Sequence, residues 1–499
     1  MDSRTPFLPH FPRLIEGRAR LTRACLLGRA LDQLRSFALP DVAALVGRFL
    51  PEDFFGTTHA DARARRERLF GPQTTFWAFL HQVLCPRTPC REIVAKVRAW
   101  AASSCAKRQA RSAALPSLAT GAYCQARVRL PLALILRAFD ALKLWFARRA
   151  PDAWQWCGRN VLVLDGTGVS MPDTAANQKR WGQPSGQKPG CGFPVAKLLG
   201  CFCLSTGAWL GWALGRCMKH DLSLWHQIAH LIKRGDVVVA DAGFCAYALM
   251  SELHARGVDS VIRLHQARSK DMRRGRHLGK DQRLHIWSKP LRRTSYCPWN
   301  AAQWRKLPAE LAVRVIRVRV TQRGQRTREL WLATTLTDTA RYPAHKLAEL
   351  YLRRWSIELF FRDIKTTLGM DVLRCKTPAL VEKEIALHAV AYNALRAMML
   401  ESAASHGRCL GRLSFKGALD VLRQWLPHAA GCFGRPRKLA ACIRELSATL
   451  AAATNPDRPN RREPRAVKRR PKNHPLLTRP RHKFKDIAHR NNYRKHALN

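Results

Sequence analysis

Hydrophobic positions follow two different periodicities along this chain. Before residue 155 and after residue 341, apolar residues recur every three or four positions, which is typical of amphipathic helices. Between these two regions most apolar residues form short runs that end in an acid or a glycine, as strands covered on both faces do. The predicted helices are 75–84, 130–147, 221–233, 247–256, 345–370, 381–401, 414–425 and 437–453. The predicted strands are 161–166, two within 198–215, 236–241, 258–264, 313–320 and 329–336.

This order of elements predicts an α/β protein flanked by helices. The expected segments are a helical, basic, DNA-binding domain at 1–155, a first part of the core at 156–262, a basic β-rich insertion at 263–340, a second part of the core at 341–400, a helical region at 401–454, and a basic, proline-rich, disordered tail at 455–499.

One uncharged stretch of 18 residues, 198–215, has the length of a membrane span. Its central Ser205-Thr206-Gly207 and its glycines favour two buried strands joined by a turn instead. The N-terminus lacks the apolar stretch of a signal peptide, and the 16 cysteines form no regular framework. We therefore expect a cytoplasmic protein with reduced thiols and no membrane partner.

The charge of the chain is extreme, with 87 Lys and Arg against 35 Asp and Glu and a net charge of +52. Residues 455–499 contain 15 Lys and Arg and three acids, so about +40 belongs to the preceding residues. A basic tail on a neutral enzyme is therefore excluded, and the whole surface favours a polyanion such as nucleic acid as the partner.

Two aspartates stand where predicted strands end. Asp165 follows Val-Leu-Val-Leu and Asp241 follows Val-Val-Val-Ala, and small residues come after each. Because ligands collect at the carboxyl ends of strands in an open α/β sheet, the two carboxylates could share a cation. Either aspartate alone is more simply explained as a turn or cap residue, and a third acid at the same place would reverse that preference.

The third acid, Glu358, lies inside the predicted helix 345–370. At about 100° per residue, Tyr351, Arg354, Glu358 and Lys365 fall within roughly 60° of one another, beside an apolar face. A solvated face with charge pairs four and seven residues apart would have the same pattern. The helix by itself leaves both interpretations open.

Three carboxylates in a strongly positive chain indicate phosphoryl transfer with divalent cations. We predict Asp165, Asp241 and Glu358 as catalytic and metal-binding residues that hold two ions per site. Oxygen ligands favour Mg²⁺, with Mn²⁺ as a substitute, over Zn²⁺. The phenol, guanidinium and ammonium groups of the same helical stripe would bind flanking DNA phosphates without reading the sequence.

The pattern Y-x2-R-x3-E-x6-K over 351–365 resembles the Y-R-E-K signature of bacterial insertion-sequence transposases of family four, which have an Asp-Asp-Glu triad. The stretches around Asp165 and Asp241 resemble the two aspartate motifs of that family, and 388–396 resembles its following helix. The resemblance covers roughly 160–396.

This resemblance implies a ribonuclease-H-like core interrupted by a β-rich insertion. It also implies a DNA transposase that binds the terminal inverted repeats of its element, cleaves strands with Mg²⁺ and joins them to double-stranded target DNA by cut-and-paste transposition. The enzyme would act at the nucleoid as a homodimer that holds both ends. An insertion tryptophan would support a flipped base, and the candidates are Trp287, Trp299, Trp304 and Trp331, with a buried core role favoured for Trp331.

Two other functions remain open. One is a catalytically inactive DNA-binding or architectural protein, against which the three acids argue. The other is a ribonuclease-H-like nuclease that acts on RNA or branched DNA.

Several further patterns are weaker. His226 and His230 are one helical turn apart, but Gln227 replaces the glutamate of a zinc-protease helix. The glycine-rich loop 182–192 lacks a P-loop's Lys-Ser/Thr, and its prolines remove backbone donors. Three nearby acids do not end a strand and are set aside: Asp173, Asp221 and Asp363.

Overall fold

The structure is a computed structural model and describes most of the chain. The described residues are 39–56, 69–86, 88–103, 117–150, 152–268, 270–293, 297–319, 329–456 and 477–484. Three parts of the sequence lie outside these ranges: the basic stretch Ala-Arg-Ala-Arg-Arg at 62–66, the segment Gln-Arg-Gly-Gln at 322–325, whose glycine predicts a turn between two strands, and most of the predicted tail. No helix within them is long and apolar enough to cross a membrane.

A nine-stranded mixed sheet forms the centre of the protein, with the strand order β3-β2-β1-β4-β5-β9-β8-β7-β6. Its strands are β1 Val161–Ser170, β2 Val195–Cys203, β3 Trp209–Arg216, β4 Val237–Ala240, β5 Asp259–Arg263, β6 Arg276–Gly279, β7 Gln282–Ser288, β8 Glu310–Arg319 and β9 Glu329–Thr334. β1, β4 and β5 are parallel neighbours, and all other neighbours are antiparallel. The uncharged stretch 198–215 thus contributes to the two strands β2 and β3, as predicted.

Helices cover both faces of this sheet. They are α1 Pro40–Val46, α2 Pro72–Leu84, α3 Cys90–Ser103, α4 Gly121–Arg129, α5 Leu132–Arg149, α6 Ala175–Trp181, α7 Trp225–Ile228, α8 Tyr247–Ala255, α9 Ala301–Lys306, α10 Ala344–Leu352, α11 Ser356–Arg362, α12 Pro378–Ser405, α13 Phe415–Cys432 and α14 Pro436–Ala452. The predicted helix 221–233 is short and irregular, because 3-10 turns at Asp221–Leu224 and Ala229–Leu231 flank α7.

Two apolar clusters lie on opposite faces of the sheet. Strand alternation separates them, since Val163 of β1 belongs to the first cluster and Leu164 to the second. The first cluster is the larger and includes α12, which is buried on almost every side, as expected for a helix without a polar face. Its Asn393 exchanges two hydrogen bonds of 2.8 Å with the backbone of Trp209. The helix that follows the Y-R-E-K stretch therefore fastens β3 to the helical layer.

The predicted continuous helix 345–370 is wrong in one respect. α10 and α11 are joined by a 3-10 turn at Arg353–Trp355, and a π turn at Asp363–Thr367 follows α11. These changes of helical pitch alter the angular positions of side chains relative to a uniform helix. A constant angle of about 100° per residue therefore does not describe the positions of Glu358 and Lys365 around the helix axis.

Candidate active site

The sheet brings the two predicted aspartates to neighbouring positions. β1 and β4 pair in parallel up to Leu164 and Ala240, so Asp165 and Asp241 are the next residues on the two strands. β1 continues to Ser170 beside β2, which means that Asp165 lies where β1 and β4 separate and not at the end of β1. The two acids therefore stand side by side where the parallel pairing of β1 and β4 ends, which is where ligands collect in an open α/β sheet.

Backbone amides hold both carboxylates. Asp165 Oδ1 accepts a hydrogen bond of 2.8 Å from the Gly166 amide, and Asp241 Oδ1 accepts one of 3.0 Å from the Gly243 amide. Asp241 thereby caps a 3-10 turn. Each aspartate keeps its second carboxylate oxygen for other partners.

Glu358 is placed by the buried side of α11. Ile357 and Phe361 are buried on this helix, and the Phe361 ring packs edge-on against Phe202 of β2, with 5.3 Å between centroids. Gly200 permits this close approach, since a Cβ at that position would lie 2.9 Å from the Phe361 ring. The opposite side of α11 is left to solvent, and the Glu358 side chain is 46% exposed.

Arg354 links the helix to the sheet. Its Nη1 atom lies 3.7 Å from Asp165 Oδ2, and its Nη2 atom lies 3.5 Å from Glu358 Oε1. Both distances are within ion-pair range but longer than good hydrogen bonds. Arg354 Nε is buried and makes no hydrogen bond with any described residue. One guanidinium therefore stands between two of the predicted acids and retains an unused donor.

Tyr351 and Lys365 lie on either side of this guanidinium along the helical stretch. The buried Tyr351 ring is 5.7 Å from the Arg354 guanidinium carbon. Lys365 Nζ donates a 3.0 Å hydrogen bond to Thr167 Oγ1, two residues after Asp165 on β1. The π turn thus directs Lys365 to the strand that carries the first aspartate.

Burial and like charges perturb the ionisation of this group. The pKa of Asp165 is raised to about 6, mainly by burial and further by repulsion from Asp241 and Asp221, while the Gly166 amide and Arg354 oppose the shift. Burial also raises the pKa of Tyr351 and lowers that of Lys365. A carboxyl group so close to other acids is a place where a bound cation would relieve repulsion.

The donor set consists of hard carboxylate oxygens, which suits Mg²⁺ or Mn²⁺. Among the described residues, however, no group of three or more His, Cys, Asp or Glu side chains is gathered closely enough to hold a metal ion. Here Asp165 and Glu358 face a guanidinium, which supplies positive charge between them. The carboxylate oxygens suit divalent cations, and the Arg354 guanidinium supplies part of the positive charge that such ions would bring.

Asp221 is nearer to the site than its place in the sequence suggests. Its carboxylate lies directly over Gly166, where any Cβ would collide with it. Lys197 of β2 lies 3.0 Å away from Asp221 Oδ1. Gly166 and Asp221 are 55 positions apart, so the sequence gives little sign of this contact. Its one signal is the small residue directly after Asp165.

The other weak patterns have ordinary structural surroundings. His226 Nε2 lies 3.5 Å from Glu252, whose carboxylate also accepts a hydrogen bond from the Trp225 indole. In the loop 182–192, Gln183 Oε1 accepts hydrogen bonds from the amides of Gly190 and Gly192, which are therefore not free for a phosphate.

The four insertion tryptophans differ in accessibility. Trp299 is buried and donates its indole N–H to Glu252 at 2.5 Å, and Trp287 is nearly buried under the Arg268 guanidinium at 4.1 Å. Trp304 and Trp331 are half-buried against the second apolar cluster. The most exposed tryptophan near the site is Trp355, at 57%, which follows Arg354 and was not among those candidates.

Comparison with known proteins adds an independent result. A family model described as "Transposase DDE domain" matches residues 156–394. The transposase InsG for insertion sequence element IS4 from Escherichia coli (strain K12) is 25% identical over 456 residues, which cover 90% of this chain and 97% of InsG. A cryo-EM structure of the piggyBac transposase synaptic complex with hairpin DNA is 9% identical, with a TM-score of 0.40 over 85% of this chain and 87% of that one.

Proposed function

The chain belongs to the IS4 family of insertion-sequence transposases and contains their DDE domain, and from this premise we propose that it binds the terminal inverted repeats of its element and catalyses cut-and-paste transposition. The observation that supports this most strongly is the position of Arg354, within 3.7 Å of Asp165 and 3.5 Å of Glu358 beside the end of β4. Two acids from separate segments and a guanidinium that can bind phosphate thus lie within ion-pair distance.

Asp165, Asp241 and Glu358 are the proposed metal-binding and catalytic residues. They would hold two Mg²⁺ ions, or Mn²⁺ as a substitute, which when bound activate water or a 3′-hydroxyl and stabilise charge on the phosphate. Asp165 and Asp241 are oriented for this role by the amides of Gly166 and Gly243.

The other signature residues are the proposed phosphate contacts. Arg354 has a buried Nε donor without a partner among the described residues, and a guanidinium suits a phosphate because it can bind two oxygens at once. Lys365 is held over Thr167 and spends one of its three N–H donors there. Tyr351 packs against the Arg354 guanidinium and limits its movement.

We further propose that the strands β3-β2-β1-β4-β5 form a ribonuclease-H-like core. Three consecutive antiparallel strands followed by two parallel ones support this assignment. Segment 263–340 would be an insertion that extends the sheet through β9, β8, β7 and β6, and 1–155 would supply further DNA contacts. A homodimer acting in the cytoplasm, at the nucleoid, would hold the two element ends.

Two alternatives keep a DNA-related role. An inactivated copy would bind the repeat and not cut it, and a ribonuclease-H-like nuclease would cut a matched RNA duplex or branched DNA at least as well. Clustered acids cost affinity for phosphate, so a protein that only binds DNA gains nothing from them.

The decisive experiment measures nicking of a duplex that carries the inverted repeat flanking the gene, in Mg²⁺. Wild type should cut at the repeat end, and Glu358→Gln should bind the duplex with nearly unchanged affinity but lose at least about a hundredfold in rate, because the carboxylate is needed only in the reaction. Glu349→Gln, an exposed position on α10, is the matched control and should cut normally.

Binding without cutting by wild type and both variants would support an inactive copy. Faster cleavage of the RNA duplex would support the other nuclease. Weak DNA binding by Glu358→Gln, with normal binding by Glu349→Gln, would contradict the assignment of Glu358.

A further inference from the structure

A second lysine is anchored beside Asp165, on the opposite face of the sheet from Lys365. Lys197 lies on β2 directly opposite Gly168 of β1, and its ammonium group is 3.0 Å from Asp221 Oδ1. Leu199, two residues further along β2, belongs to the second apolar cluster, whereas α11 packs on the first. Strand alternation therefore places Lys197 on the face away from Glu358.

The segment of β1 between these two lysines is open on one side. β4 pairs with β1 only as far as Leu164, so 165–169 have β2 on one edge and no paired strand on the other among the described residues. Asp221 and Val195 occupy the space beside Gly166 and Gly168 on the face of the sheet. The unpaired edge of β1 is therefore the side from which a nucleic-acid backbone can approach, next to the first aspartate.

The Asp221 carboxylate is held in place without using up the lysine. It lies against Gly166, where a Cβ would collide with it. Its Oδ1 atom lies 3.0 Å from the Lys197 ammonium group, and the two form an ion pair. Because an ammonium group has three N–H donors, those not directed at Asp221 stay available to a phosphate.

We propose that Lys197 is a further DNA-phosphate contact of this site, and that Asp221 holds its ammonium group ready until the phosphate binds. The inference rests on the proposed function. It means that the DNA strand at the site crosses the open edge of β1 with one lysine on each face, Lys365 on the side of Glu358 and Lys197 on the other. The Lys197 side chain is 26% exposed, which leaves part of it accessible to solvent.

The test measures binding of the repeat-end duplex by fluorescence anisotropy between 50 and 300 mM NaCl. Lys197→Gln should lower the affinity and reduce the slope of log affinity against log salt by about one, as expected for the loss of one phosphate contact. Lys197→Arg should restore most of the slope. Lys416→Gln, which breaks a lysine–aspartate pair of 2.7 Å on α13, is the matched control and should leave the slope unchanged.

A second measurement locates the contact. Single neutral methylphosphonate linkages are introduced near the repeat end, one per duplex. At one of these positions wild type should lose affinity roughly as much as Lys197→Gln does on ordinary DNA, and Lys197→Gln should lose no more. Asp221→Asn keeps the shape over Gly166 and should tighten binding more in wild type than in the Lys197→Gln background.

The outcomes separate the two proposals. An unchanged salt slope for Lys197→Gln, or a methylphosphonate effect that is the same with and without Lys197, overturns this inference while repeat binding and nicking by wild type stand. A wild-type protein that binds no DNA overturns the proposed function and this inference together. Circular dichroism melting of each variant checks that the fold is retained. If Lys197→Gln is unfolded, Lys197→Met, which removes the charge but keeps an unbranched side chain, takes its place in both measurements.

Discussion

At the residue scale, His81 shows how burial and neighbouring charge act on one side chain. It lies on α2, nearly buried, with its Nε2 atom 3.2 Å from Lys96 Nζ, and Lys96 in turn lies 2.6 Å from Asp41. The pKa of His81 is lowered to about 4, mainly by burial and further by the Lys96 charge, while Asp41 opposes the shift. The imidazole is therefore neutral in the folded protein at neutral pH.

A pH-dependent loss of stability follows from this residue. Because the folded-state pKa lies below the ordinary value of 6.5, the unfolded chain binds more protons between these two values, and stability falls as pH falls from about 6.5 to about 4. The loss attributable to His81 should be about 3 kcal/mol, because one pKa unit corresponds to about 1.4 kcal/mol.

Thermal unfolding of wild type and His81→Gln at pH 7 and pH 4.5 measures this contribution. The destabilisation of the variant relative to wild type should shrink at the lower pH. The exposed His345→Gln serves as the control and should show the same difference from wild type at both pH values. A constant difference for His81→Gln would contradict a buried neutral imidazole.

At the element scale, the insertion strands are joined to the Glu358 segment through one buried arginine. Arg314 of β8 is fully buried and donates to Gln282 Oε1 at 3.0 Å, to the Leu336 carbonyl at 3.3 Å and to the Tyr342 carbonyl at 2.7 Å. Tyr342 stands two residues before α10. The same guanidinium therefore ties β7 and β8 to the chain that enters the helix of the predicted site.

Substitution of Arg314 should weaken this connection. Burial without a paired carboxylate lowers the pKa of Arg314 to about 10. Removing the guanidinium would leave the Leu336 and Tyr342 carbonyls without these hydrogen bonds in the interior. Arg314→Lys should therefore destabilise the protein by about 1–3 kcal/mol.

Chemical denaturation provides the measurement, and Arg317→Lys on the same strand is the control. Arg317 pairs with Asp281 in a more exposed position, and its substitution should cost less than about 1 kcal/mol. Equal losses for the two variants would show that the buried fork does not hold the insertion.

At the scale of the whole molecule, the net charge of +52 dominates. None of this net charge can be neutralised by internal ion pairs, because the 35 acids are already counted against the 87 bases. Some acids share one basic partner, as Asp165 and Glu358 share Arg354 at the predicted site. Most lysines and arginines are thus left for an external polyanion.

DNA affinity should consequently depend steeply on salt. If the protein contacts six to ten phosphates, affinity should fall by roughly 10³ to 10⁵ between 50 and 200 mM salt, because bound counterions are released on association. Titration of the repeat-end duplex over this range measures the slope. A nearly flat response would contradict extensive contact with the DNA backbone, whatever the activity.

Much of this protein is determined by local sequence. The strand β1, the short strand β4 and helix α12 follow from runs and periods of apolar residues. The order of Asp165, Asp241 and the Y-R-E-K stretch predicts a transposase, in agreement with the similarity to a transposase domain and to InsG. These features can be predicted because each depends on residues that are near one another in the chain. The roles of the six predicted site residues remain predictions.

Only the tertiary structure decided which distant groups meet. The contact of Arg354 with Asp165, the ion pair of Lys197 with Asp221, and the hydrogen bond from Trp299 to Glu252 join residues far apart in the sequence. The 3-10 and π turns around α11 also depart from the regular helix that the pattern predicts. These contacts depend on how helices and strands pack across the sheet, which apolar periodicity leaves undetermined.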